Sequence, residues 1–299
     1  MKKNRKTLKR QLWPLLAILP LAACDIINPA EDVPAYLYVP DFTLTTNAIT
    51  EGSASEKITD VWLSVDGGFL GAYTLPALIP VLELGGRDIA LQAGIKDNGI
   101  NSTPEIYPYY QDFRVNRTLS PGQVDTLRPA IRYRDDVQFA FIENFERNGQ
   151  IFQDVRRGSL DQIQIITTDV FEGSASGLIT LDSANSVLEV ATTERFSGLA
   201  SRSPFVYLEV NYKSDVPVLF GLIGNRKNGI PSQEVIILDP GFVPKAEWNK
   251  IYFNLSYLIN EINQEEYQVV FQAFIPIENG QFSRKQANVW LDNIKLLHF

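Results

Sequence analysis

Four Asn-Gly pairs, at 98–99, 148–149, 228–229 and 279–280, cut this chain into short pieces. An Asn-Gly pair supplies the two positive φ angles of a tight turn, so each pair can send the chain back on itself. Between the breaks lie brief runs of Val, Ile, Leu, Tyr and Phe, such as "DVWLSV", "FVYLEVNY" and "YQVVFQAF", punctuated by Gly, Asp and Pro. Helix-period patterns are scarce. The exception is residues 255–267, where Leu255, Leu258, Ile259 and Ile262 form an i, i+3, i+4, i+7 stripe, enough for one or two turns within a connection. Many short strands with frequent turn signals predict an all-β chain of two β-sandwich domains. A single cysteine leaves no disulfide, so packed cores must hold the fold.

That cysteine, Cys24, closes an unusual N-terminus. Six Lys and Arg residues fall in the first ten positions, followed by the uncharged run "LWPLLAILPLAA" at 12–23. A membrane-spanning helix needs about 20 apolar residues. This run is shorter and contains Pro14 and Pro20; a basic head, a short apolar stretch and small residues at its end describe a secretory signal. Leu21-Ala22-Ala23-Cys24 resembles a bacterial lipobox. The resemblance implies that residues 1–23 are a lipoprotein signal peptide and that Cys24 is lipidated at the mature N-terminus, anchoring the chain to a membrane. Residues 24–33, "CDIINPAEDV", then form a polar tether. Removing residues 1–23 leaves 21 basic and 35 acidic residues, a net charge of −14 with His298 neutral. Nucleic-acid binding is dominated by phosphate neutralisation with Lys and Arg, so this balance argues against a nucleic-acid partner.

Residues 34–133 read as a small β-sandwich domain, Ig-like in size. In "DVWLSVDGGFLGAYTLP", Val61, Leu63 and Val65 share one face and Asp66-Gly67-Gly68 makes a turn. "IPVLELGGRDIALQAG" repeats that plan with the bend at Gly85-Gly86. Val65-Asp66-Gly67, Leu70-Gly71, Pro76, Gly86, Ile89 and Leu91 resemble the pattern of PEGA-type surface β-domains, which are packing or adhesion modules. "IYPYYQDFRV", residues 106–115, is dense in tyrosine. Its rings either cover the end of a sandwich with their hydroxyls in water, or stack on sugar or bury in a partner.

Residues 134–299 carry a longer pattern. Glu143 and Glu146 lie in the opening "FAFIENFERNG", Gly173-Ser174 precedes a strand, Trp248 leads a late strand, and Leu291-Asp292-Asn293-Ile294 lies on the last one. In that order these pieces resemble a galactose-binding-like jelly roll, the fold of many carbohydrate-binding modules. In the last strand Val289 and Leu291 are apolar in one phase, Ile294 and Leu296 in the other. One extra residue at Asp292-Asn293, a β-bulge, restores a single apolar face. The resemblance further implies a structural calcium held by Glu143, Glu146 and Asp292; the other reading is solvated strand ends. No other cofactor is expected. The pentapeptide "EGSAS" occurs at 51–55 and 172–176, a small-residue lead-in to a strand in both places.

For catalysis the residues offer little. His298 is the only histidine, and there is no Cys-His pair, zinc-ligand cluster, phosphate loop or Gly-x-Ser-x-Gly. A glycosidase needs two carboxylates about 5–10 Å apart, and nothing in the sequence selects such a pair. The expectation is a protein that is not an enzyme. Lipobox, tether, small β-domain and jelly roll together resemble outer-membrane lipoproteins of Bacteroidota-type bacteria. That resemblance implies a lipid-anchored structural or adaptor subunit of an outer-membrane assembly, partnered by a β-barrel or other envelope proteins. The alternative is a glycan-binding surface lipoprotein with Trp248, Trp290, Tyr212 and Tyr252 as candidate stacking rings. A carbohydrate-active hydrolase is a third reading. Asp125-Thr126-Leu127 and Asp182-Ser183-Ala184 resemble that group's O-glycosylation motif, which would modify Thr126 and Ser183.

Overall fold

The computed structural model describes residues 31–147 and 149–299; the expected signal peptide, residues 1–23, and the expected lipidation site Cys24 lie outside the described residues. Apart from one α-helix, Ser256–Ile262, and a short 3-10 helix, Leu160–Gln162, the described elements are strands. The chain is all-β, as its punctuation predicts. Asn98-Gly99, Asn228-Gly229 and Asn279-Gly280 all take positive φ at both residues.

The N-terminal half is built on the strand Asp60–Val65. It pairs antiparallel with Gly68–Thr74 and Gly85–Lys96, and Phe113–Leu119 extends that sheet. Val61, Leu63 and Val65 are buried, and Asp66 and Gly67 turn the hairpin with φ of 49° and 81°. The second expected hairpin does not form. Ala77–Val81 pairs with Ala35–Val39, whereas Gly85–Lys96 joins the first sheet. The reason lies in the core. Ile79 and Val81 pack with Ile89 and Leu91 in one apolar cluster. Two separate sheets close that cluster from opposite sides, so Gly85, with φ of 87°, marks a corner between sheets and not a hairpin bend.

The C-terminal half has two six-stranded sheets. In one the order is Ile163–Ile166, Ser176–Asp182, Gln286–His298, Val206–Ser214, Lys245–Asn254, with Gln138–Glu143 also pairing on Gln286–His298. The other runs Phe152–Arg157, Val187–Thr192, Glu266–Phe274, Val218–Lys227, Ile230–Phe242, with Phe196–Ser197 on Glu266–Phe274. Leu208, Phe220, Phe253, Phe271, Ile294 and Leu296 fill the space between them. The closing strand carries the expected bulge. Glu209 faces Lys295 and Asn211 faces Asp292, so two steps on one strand match three on the other, and Asn293 has φ of 46°.

Among the described residues no named strand of 31–133 pairs with one of 138–298; a single bridge, Asp97 to Tyr252, crosses. The halves meet through side chains instead. Tyr207, Tyr252 and Leu297 belong to the apolar cluster of the N-terminal half. The two EGSAS segments also meet here, where the Ser53 hydroxyl donates to the Glu172 carboxylate.

Candidate functional site

The strand Val206–Ser214 sets out the surface chemistry. Its residues alternate. Val206, Leu208, Val210 and Tyr212 enter the sandwich core, while Tyr207, Glu209, Asn211 and Lys213 point the other way. Tyr207 bonds Asp97, Glu209 bonds Tyr107, and the Asn211 amide donates to the Ser55 hydroxyl at 2.9 Å. Three of the four outward residues therefore hold the N-terminal half. The fourth, Lys213, meets a different set of groups.

The seam is a closed polar box. Glu209 Oε1 accepts from the Tyr107 and Tyr133 hydroxyls at 2.8 Å each, and Lys250 Nζ lies 2.7 Å from Oε2. Lys295 Nζ donates to the Ser53 carbonyl at 2.6 Å and sits 5.2 Å from the Tyr133 ring centre. Burial would raise the Glu209 carboxyl, but the charges of Lys250 and Lys295 outweigh it and hold it below its ordinary value. Burial pushes Lys295 down to about 8. It raises Tyr107, Tyr133 and Tyr252 well above the phenol range, aided by the Glu209 charge, so their hydroxyls remain donors. Tyr107, Tyr109 and Tyr110 are buried, and Tyr109 donates to the carbonyls of Phe205 and Leu297. Their hydroxyls do not face water. The partner they bury into is the other half of the same chain.

Two candidate rings are thereby withdrawn as stacking surfaces. Tyr252 is 2% exposed inside the seam, where its hydroxyl lies 3.2 Å from that of Tyr110. Tyr212 lies in the sandwich core, stacked on Phe242 with centroids 3.7 Å apart. In both cases an apolar-looking strand is covered on both faces, which alternation alone does not reveal.

The other two candidates come together. Trp290 pairs with Lys213 across the sheet, and Lys213 Nζ sits 4.2 Å from its ring centre. Lys213 also pairs with Asp169, whose other oxygen accepts from Trp248 Nε1 at 3.1 Å. Phe171 packs 5.7 Å from Trp248. Both indoles are half-buried. A saccharide has apolar C–H faces rimmed by hydroxyls, and this group offers two half-buried indoles, with Lys213 over one face of Trp290 and Asp169 at the edge of Trp248. Asp169 and Lys213 had no signal in the sequence, because the loop carrying Asp169 cannot be placed without the fold.

A second aromatic pair lies in the N-terminal half. Trp62 stacks on Phe69, centroids 5.3 Å apart, and Phe69 is 61% exposed. If Val61, Leu63 and Val65 face the core, Trp62 must face out.

The three acids assigned to calcium are occupied otherwise. Glu143 accepts the amides of Phe145 and Ile151 at 2.8 Å each. Glu146 accepts those of Ser174 and Ala175, and Asp292 those of Asn293 and Glu172. Calcium wants six to eight oxygens converging on one point, and among the described residues no three acidic, His or Cys side chains gather in that way. The shared cage is corrected: these carboxylates brace loops by accepting amides, and the set does not fit the ion. Burial raises the Asp292 carboxyl to about 7. A perturbed acid suggests catalysis, yet Asp292 has no exposed surface for a substrate to reach. Burial chiefly lowers the His298 imidazole, whose Nδ1 lies 3.1 Å from the Phe299 carbonyl oxygen.

The remaining sites are peripheral. Thr126 and Ser183 are both exposed, the first on a strand and the second in a turn held by the Asp182 carboxylate. No helix among the described residues is long and apolar enough to cross a membrane.

No family model and no curated protein matches the chain. Solved structures do show similarity. A carbohydrate-binding module from the β-sandwich superfamily aligns over 80% of this chain and 85% of its own at 14% identity, with a TM-score of 0.35. A family 30 carbohydrate-binding module of a Clostridium thermocellum cellulase covers 52% of this chain and 96% of its own at 12% identity, TM-score 0.40. A family 22 xylan-binding domain covers 55% and 97% at 13% identity, TM-score 0.33.

Proposed function

We propose that this chain is a non-catalytic glycan-binding protein, held at the outer membrane by lipid on Cys24. The observation that carries the binding role is the joining of Trp248 and Trp290 around the Lys213–Asp169 pair. Trp248 is fixed by its hydrogen bond to Asp169 and Trp290 by its contact with Lys213, and rings held in place bind with little ordering cost. The hydroxyl rim of a sugar needs donors and acceptors beside those rings, and Lys213 and Asp169 supply one of each. Electrophoresis of the full-length chain through gels containing neutral plant and microbial polysaccharides tests this. At least one polysaccharide should retard the wild type, while Trp248→Ala and Trp290→Ala should run freely. Equal retardation of all three proteins, or none for the wild type across the panel, would reject the tryptophan site. The anchor has its own test. Cys24→Ser should abolish incorporation of labelled palmitate, and undiminished labelling would contradict it.

One observation favours the adaptor role as a second reading. Leu78 and Val124 are 57% and 56% exposed, and they flank Tyr38 and Tyr36 on neighbouring strands close to where the tether joins. Exposed apolar patches of this kind mark interaction surfaces. Leu78→Asp with Val124→Asp should release a co-purifying envelope partner if the adaptor role holds; retention of every partner would remove it.

A further inference from the structure

On one side the seam opens into a cleft of about 660 Å³. Small-ligand sites typically enclose roughly 300–1,000 Å³. Lys57 and Lys96 line one wall, and Lys245, Asn249 and Lys250 line the other. Four lysines thus gather in a chain whose net charge is −8. Two of them are neutralised by the fold. Lys96 lies 2.8 Å from Asp60, and Lys250 lies 2.7 Å from Glu209. Among the described residues, Lys57 and Lys245 have no carboxylate within ion-pair reach. Lys57 Nζ is held by the Asn249 amide oxygen at 2.6 Å, which orients the ammonium without compensating its charge. Burial, and then repulsion from Lys245, lower the Lys57 ammonium from its ordinary value. Both side chains are exposed at the mouth of the cleft, and two neighbouring like charges disfavour each other. An anion between them would relieve that cost.

The rest of the cleft says what kind of anion. A simple ion fills only a fraction of the volume. Asn101, Asn249 and Tyr257 also line it, and Asp239 accepts from the Tyr257 hydroxyl at 2.6 Å. These groups offer donors and acceptors for a ligand rich in hydroxyls. Asp239 within the cleft and the overall negative charge disfavour a polyphosphate. We infer that the interdomain cleft binds an acidic saccharide, a uronate whose carboxylate sits between Lys57 and Lys245. Only the choice of a saccharide rests on the glycan-binding reading; the site is separate from the tryptophan face.

Calorimetric titration of the full-length chain at low salt tests the inference with three probes: trigalacturonate, its neutral counterpart galactotriose, and acetate. Trigalacturonate should bind saturably, with galactotriose and acetate each weaker by about tenfold or more. Lys57→Gln and Lys245→Gln should each weaken trigalacturonate by about tenfold or more while keeping the wild-type melting temperature. Trp248→Ala should leave trigalacturonate binding unchanged, which separates this site from the tryptophan face. No binding of trigalacturonate, equal binding of galactotriose, or full competition by acetate at equal concentration would overturn the inference. So would lysine variants that bind as the wild type does.

Discussion

Asp292 illustrates how one buried acid couples the fold to pH. Its carboxyl sits under the loop that carries Glu172, accepts two backbone amides, and is raised by burial to about 7. In an unfolded chain an aspartate titrates at about 3.9. Between about pH 4 and 7 the native state therefore keeps a proton that the unfolded state has lost. The stability tied to this group is full below that window and is lost as pH rises through about 7. Asp292→Asn copies the neutral acid and removes the titration. The urea midpoint of the wild type, minus that of the variant, should fall from about pH 4 to 7 and then level off. Midpoints that stay parallel across the range would refute this. The sequence pointed to Asp292 through the phase switch of its strand, but one of its two amide partners, Glu172, comes from a loop 120 residues earlier. Glu209, Lys250 and Lys295 carried a fainter mark: each is a lone charge in an apolar run. Such a charge is either solvated or held by a partner, and only the fold shows that Glu209 pairs with Lys250 while Lys295 donates to the Ser53 carbonyl.

At the level of elements, the turns were the most legible part. Asn-Gly pairs and Asp66-Gly67 need positive φ, a local property that few other residues tolerate. The bulge at Asp292-Asn293 was legible for a similar reason, since a single apolar face demands one added residue. The corner at Gly85 was not. Glycine permits the geometry of a hairpin and of a sheet-to-sheet corner alike, and the choice depends on which strands share a core. Gly221 shows a constraint that no local pattern records. It lies beside a register shift between Val218–Lys227 and Ile230–Phe242, and an added Cβ would come 1.8 Å from the Ile237 carbonyl oxygen. Backbone cannot yield as a side-chain tip can. Gly221→Ala should destabilise the chain by about 1–3 kcal/mol or more through overpacking. Chemical denaturation measures this directly, and a variant as stable as the wild type would mean that the two strands separate freely there.

For the whole molecule, the seam decides how the two halves behave together. Among the described residues, the strands of 35–131 pair among themselves and those of 138–298 among themselves. The energetics do not divide so cleanly. A fragment of residues 134–299 would expose Tyr207 and Leu297 and leave Glu209 without the Tyr107 and Tyr133 hydroxyls. Hydrogen bonds to charged groups contribute about 1.5–3 kcal/mol each. The full chain should therefore melt in one calorimetric transition, and Tyr133→Phe should move that whole transition downward. Two resolved transitions, with only the first responding to Tyr133→Phe, would show that the halves are independent. A seam of this kind holds the cleft beside it in shape, and Trp248 is on the strand Lys245–Asn254 that also supplies Lys245 and Asn249 to that cleft. Trp248 and Trp290 were legible as aromatic candidates, whereas their joining through Asp169 required the folded loop. The most direct test is calorimetric titration of the full-length chain with whichever neutral polysaccharide retards it in gels, comparing the wild type with the double variant Trp248→Ala, Trp290→Ala. Aromatic anchors at binding sites commonly contribute more than about 1 kcal/mol each. The account predicts that the double variant binds at least about tenfold more weakly with an unchanged melting temperature; equal affinity in the two proteins would contradict it.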